Sequence, residues 1–321
     1  MANRILIPLL VFISSVVFAQ KPASAITPSD LKHLILLEDS INHLAQIAVQ
    51  DSFHENRIAA NERLLPLIRT ALAIPNSFNY PFSNIPNISI QQPEDKAFRV
   101  FTWQLSPKEN TYKYFGFIQL NRSKSTSYEL NDKAYEIDNP DKQPLTTDNW
   151  FGCLYYNIKS FDSKDGIKYL LFGYNGNNAD EKIKVCEVLV LRGGAVRFGS
   201  PVFEVNDIAG QRKTTLHRLV LTYAADVVVR LNYDAEMGVI IHDHLEQMAS
   251  KNPDLPFTYV PDGTYEAFEL KKQVWQHIDK IPNLIVSEPP RPKPILGVKK
   301  TKIVDKEDAK AFKFPVDPVK Q

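Results

Sequence analysis

The tripeptide His242-Asp243-His244 concentrates the groups of this chain that can bind a metal or move a proton. On a strand, residues two apart point to the same side, so both imidazoles can approach one ion while Asp243 turns the other way. Zinc takes three or four such ligands. The other histidines, His217 and His277 among them, lie at no spacing that marks a third. His242 and His244 are therefore metal candidates without a completed ligand set, and no cofactor is expected. A different grouping sets Asp243 and His244 beside Asp262 as an acid–base cluster next to a loop, the machinery of a hydrolase acting on glycan or peptide. The plainer alternative has His244 bonding a neighbouring backbone carbonyl and Asp262 seating a Pro261-Asp262-Gly263 turn.

Aromatic residues offer a further chemistry. Trp103, Trp150 and Tyr174 fall on strand-like segments, with Tyr155 and Tyr156 nearby. An exposed ring is a flat apolar platform with a polar edge, which suits a sugar. On a sheet covered on both faces the same rings fill the core instead. Asn175-Gly176-Asn177-Asn178 is rich in carbonyls, but calcium sites take carboxylates at set spacing, so a tight hairpin is the simpler reading. The chain has no Gly-x-Ser-x-Gly, no Walker loop and no His-Glu-x-x-His.

The elements that must position these residues are legible in outline. Thr27, Pro28 and Asp30 supply a cap, a first-turn proline and an acid at the third position. Leu31, Leu34, Ile35, Ile41, Leu44 and Ala48 then recur at helical spacing. A second helix is expected from a Ser52/Glu55 capping box toward Ala73, kinked at Pro66. Two such helices need something to pack on, and the following sheet is the economical partner. Strands are predicted at Phe98–Leu105, Tyr112–Leu120, Trp150–Ser160, Ile167–Tyr174, Lys182–Leu191, Val196–Phe203, Leu216–Tyr223, Val227–Tyr233 and Val239–Leu245. A last pair is expected to flank Pro261-Asp262-Gly263. Short links make successive strands antiparallel neighbours, and so many strands must curl into an open barrel or split into layers.

The two ends differ in kind. Arg4 followed by the apolar run Ile5–Phe18 predicts a secretory signal peptide, 1–19, cut after Ala19. The run is shorter than the about 20 residues of a membrane-spanning helix, so no transmembrane span is expected in the mature chain. Exported protein is then the expectation: periplasmic, outer-membrane-associated or secreted. Of 38 basic and 37 acidic residues the signal removes only Arg4. The neutral remainder has no global pull toward nucleic acid or anionic membrane. Cys153 and Cys186 fall on strands separated by a third, about 9–10 Å apart in a meander, which predicts two free thiols. Residues 282–321 hold seven of the 22 prolines and are predicted to be a disordered, Pro/Lys-rich tail, with extended polyproline character over 288–294.

The chain resembles an uncharacterised family of exported, β-rich proteins from Gram-negative bacteria. The resemblance spans roughly Asp30 to Trp275 and is carried by Ala60-Asn61-Glu62, Ser77-Phe78, Tyr80-Pro81-Phe82, Phe101-Thr102-Trp103 and Tyr114–Gln119. Asn149–Gly152, Gly173–Asn178, Phe198-Gly199 with Pro201 and Phe203, Asp243-His244-Leu245, and Tyr259 with Pro261–Tyr265 complete it. It implies a shared fold and compartment and no activity. His242, where an aromatic is usual, and Asn175, where an aspartate is, depart from its pattern. The fold predicted is α+β: a helical segment, 20–75, packed on a large curved antiparallel sheet, 76–281, with meander connections. The function expected is an exported, non-catalytic binding or organising protein, with an envelope protein or glycan as partner, reached through the tail. An Asp/His hydrolase and a carbohydrate-binding module are the alternatives.

Overall fold

The structure, a computed structural model, describes residues 25–122, 125–206 and 213–281. The expected signal peptide and tail lie outside the described residues. Helix α1, Pro28–Gln50, starts as its sequence dictates: Thr27 Oγ1 accepts from the Asp30 amide at 3.1 Å, and proline occupies the first turn. Its apolar face buries Leu34, Leu37, Ile41, Leu44 and Ala48. Helix α2, His54–Ala73, begins differently from the predicted capping box. Phe53 holds the cap position with no side-chain bond to the helix. Asp51 supplies the polar contact instead, its carboxylate accepting from the Phe53 amide at 2.8 Å and from Asn56. The helix runs through Pro66. Between the helices and the first sheet lies buried Glu38, which accepts from the Tyr80 hydroxyl and the Asn84 amide.

The strands are β1 (Ser89–Gln91), β2 (Phe98–Leu105), β3 (Lys113–Leu120), β4 (Thr126–Asn131), β5 (Leu145–Thr146), β6 (Leu154–Ser163), β7 (Gly166–Asn175) and β8 (Glu181–Arg192). There follow β9 (Ala195–Phe198), β10 (Phe203–Asn206), β11 (Lys213–Leu216), β12 (Arg218–Ala224), β13 (Leu231–Asp234), β14 (Val239–Ala249), β15 (Phe257–Lys271) and β16 (Val274–Ile278). They form three layers and no closed barrel. The first sheet runs β1-β2-β3-β4, the second β5-β9-β8-β7-β6, and the third β11-β10-β16-β15-β14-β13. In the second sheet β12 shares one edge of β8 with β9: Arg218–Ala224 pair along Glu187–Glu181, and β9 takes Leu189–Arg192. Most pairs are antiparallel. The exception among the named strands is β10 with β16, a parallel pair of chain-distant segments.

Several expectations about the strands are corrected: the strand predicted from Trp150 begins at Leu154, and the one predicted from Val227 begins at Leu231. The predicted Val196–Phe203 strand breaks at Gly199-Ser200-Pro201, where Gly199 takes φ +88° and the chain crosses from the second sheet to the third. The predicted Leu216–Tyr223 strand breaks at His217, where the chain crosses back. The Pro261-Asp262-Gly263 signal does not reverse the chain: β15 runs straight through it as a bulge.

Alternation along the strands sets the layers. In β2, Phe98 and Val100 face the second sheet while Phe101 and Trp103 face the helices; in β3, Tyr114 and Ile118 oppose Phe117 in the same way. In β7, Tyr169 and Leu171 face the first sheet and Leu170 and Phe172 the third. The second sheet is thus covered on both faces, which is why its sequence reads as near-continuous apolar runs. Both cysteines are free and buried, with β6, β7 and β8 consecutive neighbours. No helix among the described residues is long and apolar enough to cross a membrane.

Candidate functional site

The third sheet brings together residues from three strands. His242 on β14 stands directly opposite Glu266 on β15, and His277 on β16 stands opposite Phe268, two residues along. Period-two alternation puts Glu266 and Phe268 on one face, so the three polar groups share a face. His277 Nε2 donates to Glu266 Oε2 at 2.8 Å, and His242 Nε2 lies 3.6 Å from the same oxygen. One ligand atom from each residue falls within 4.8 Å of the others. The cluster closes one side of a cavity of about 580 Å³ between the second and third sheets, walled by Ile183, Leu216, Leu219 and Phe268.

A bulge adds a fourth member. The β14/β15 register slips between Asp243 and Leu245: Asp243 pairs with Tyr265 but Leu245 with Pro261, so Asp262, Gly263 and Thr264 stand against His244 alone. Bulges re-aim side chains, and here His244 Nδ1 meets Glu266 Oε1. Gly263 at φ +87° and the Asp262 carboxylate, which accepts from the Thr264 amide and hydroxyl at 2.7 Å, hold the extra residues.

The electrostatics follow from these contacts. Burial alone would raise the Glu266 carboxyl, but hydrogen bonds from His277 and His244 with His242 close by overcome it and hold it at about 2. The bond to Glu266 raises His244, against its partial burial. Burial lowers His242, which is 6% exposed. His242 Nδ1 lies 2.9 Å from the Asp243 carbonyl. A carbonyl only accepts, so this contact puts the proton on Nδ1. In the neutral ring that burial favours, Nε2 then carries a lone pair facing a carboxylate oxygen. That is the arrangement of a metal-binding histidine, whose far nitrogen is fixed by a carbonyl. His244 in turn orients the carboxylate. Two imidazoles and one carboxylate could hold zinc once the ion displaces the proton that His277 Nε2 shares with Glu266.

The residues singled out from sequence fare differently. His242 and His244 do reach a common group, but it is Glu266, through opposite oxygens. Asp243 turns away, as its strand position predicts, and its carboxylate accepts from the Arg230 amide. Asp262 is spent within its own bulge. His244, Glu246 and Asp262 bring ligand atoms within 4.8 Å of one another, but two of the three are exposed acids. Trp103 and Trp150 are no platforms: both are 0% exposed, with indole N–H groups bonded to Asn61 and the Tyr155 hydroxyl, each at 2.7 Å. Tyr174 is partly exposed and lines a pocket of about 270 Å³. The Asn175 loop is a local turn, Asn175 Oδ1 accepting from the Asn177 amide at 2.7 Å. Glu266 and His277 carry no sequence signal, because nothing local marks a pairing across three strands.

No protein-family model, curated protein or solved structure matches this chain. The fold and the cluster therefore rest on the structure alone: a layered α+β protein with a two-histidine, one-carboxylate cluster on its third sheet.

Proposed function

We propose that the chain is an exported binding protein whose ligand is a divalent transition metal held by His242, Glu266 and His277. One observation carries this reading: His242 Nε2 and Glu266 Oε2 face each other at 3.6 Å, both as acceptors once Nδ1 holds the ring proton. A cation between them converts a repulsion into two bonds. Export is supported by the apolar run after Arg4, and an envelope partner reached through residues 282–321 belongs to the same proposal.

Zinc titration of chelator-stripped protein by calorimetry tests the site. One ion per chain is expected, lost in His242→Ala and His277→Ala and weakened about 10- to 100-fold in His244→Ala, which removes only the group orienting Glu266. Unchanged binding by the His242→Ala/His277→Ala double variant would refute the assignment.

A second reading is favoured by the cavity beside the cluster. A metal held by His242, Glu266 and His277 would supply an activated water beside that space, which makes a metal-assisted hydrolase the alternative. Chelator-sensitive cleavage of a glycoside or peptide substrate, absent from Glu266→Gln, would select it.

A further inference from the structure

A second pocket, separate in residues from the cluster, carries its own reading. Lys184 on β8 stands opposite Tyr174 on β7, and Lys182 opposite Tyr223 on β12. The Lys184 ammonium sits 4.3 Å from the ring centroid of Tyr156 and 5.6 Å from that of Tyr174. Tyr156 is brought there by another bulge, since the β6/β7 register slips between Tyr155 and Asn157. Its hydroxyl donates to the Leu231 carbonyl at 2.5 Å, which ties the ring to the third sheet.

Charge is unbalanced in this space. Among the described residues, none that lines the pocket is acidic. Lys182 donates to the Ala225 carbonyl and acts on the neighbouring Asp226 carboxylate, so Lys184 is the cation left without an acidic partner. Lys184 rests on aromatic faces, which attract a cation but do not neutralise it. The pocket volume of about 270 Å³ falls just below the about 300–1,000 Å³ of sites for drug-sized ligands, so a single ring is the fitting guest. Flat tyrosine faces suit a pyranose, and the uncompensated ammonium suits a carboxylate.

We propose that Tyr156, Tyr174 and Lys184, with the buried Tyr223 beneath them, form a binding site for an acidic sugar whose carboxylate pairs with Lys184. The site is independent of metal at the histidine cluster, so the two readings fail separately.

Calorimetry on the full-length chain with D-glucuronate, D-glucose and inorganic phosphate tests it, in buffer containing a metal chelator. Glucuronate is expected to bind about 10- to 100-fold more tightly than glucose, the worth of one hydrogen bond to a charged group, and phosphate more weakly than glucuronate. Lys184→Met should erase the preference over glucose, Lys184→Arg should keep it, and Tyr174→Ala should weaken both sugars. Equal binding of glucose and glucuronate overturns the proposal, as does phosphate binding as tight as glucuronate. So does a glucuronate preference that survives Lys184→Met, or no glucuronate binding at all. Circular dichroism of each variant separates a lost site from a lost fold.

Discussion

Lys184 shows how one side chain sets a measurable property. Burial lowers its ammonium to about 8, while the groups facing it, Tyr156, Tyr174, Tyr223 and Lys182, provide no anion. Below that pH the folded chain carries the full cost of a desolvated charge. Between about 8 and the ordinary 10.5 the unfolded chain holds the extra proton, so this group makes stability rise with pH. Lys184→Met should therefore be more stable than the wild type at pH 7, by about 1–2 kcal/mol after the lost cation–π contacts are set against it. The gain should shrink as pH climbs through that window. Urea unfolding at pH 7 and pH 10 reads the difference, and a variant less stable at pH 7 would contradict the account. Arg99, lowered to about 9 by burial, is handled differently. Its guanidinium bonds Gln119 and the Tyr80 and Ser77 carbonyls and lies over three phenylalanine rings.

Among the elements, β15 decides whether His244 belongs to the site. A strand without the Asp262–Thr264 excess would carry its register past His244 unbroken. A methyl group on Gly263 would meet nothing within 4 Å, so space is free there and only the φ of +87° resists a side chain. Gly263→Ala should cost about 1–2 kcal/mol from backbone strain alone, read as a lower urea midpoint with unchanged slope. If the bulge relaxes to avoid that cost, His244 leaves Glu266 and zinc affinity falls with it. Unaltered stability would mean that this glycine is not needed for the bulge. The helices illustrate the opposite case, in which local signals suffice. Thr27, Pro28 and Asp30 begin α1 where they are read to begin it, whereas α2 begins at His54 behind Phe53, with Asp51 rather than Ser52 accepting from the Phe53 amide.

Across the whole molecule, the second sheet is the spine. Its centre holds a fully buried ion pair, Arg218 Nε to Glu187 Oε2 at 3.1 Å. Tyr155 donates to the other Glu187 oxygen and Trp150 to Tyr155. Arg218 also donates to the carbonyls of Pro140 and Gln143, which fastens the segment before β5 onto the sheet. Breaking one partner leaves a buried charge uncompensated. Arg218→Met should cost about 3–5 kcal/mol, and Arg218→Met/Glu187→Leu should regain most of it, since an apolar replacement removes both desolvation penalties. Thermal melts of the two variants decide this, and a double variant no better than the single one would show that the hydrogen bonds to Pro140 and Gln143 dominate.

The α+β class, α1, most second-sheet strands and their meander, and the free thiols were legible in sequence, because capping, periodicity and short turns are local interactions. Asp243 facing away from His242 and His244 was legible for the same reason. Tertiary structure alone decided the rest. Whether Trp103 on β2 and Trp150 in the turn before β6 face solvent or core depends on which layers cover them, and the local sequence carries no record of that. A Pro-Asp-Gly signal can turn a chain or bulge it, and the pairing of β14 with the two halves of β15 selects the bulge. Glu266 and His277 meet His242 only because β14, β15 and β16 lie side by side, and that adjacency comes from burying the common apolar face of Ile240, Phe268 and Trp275.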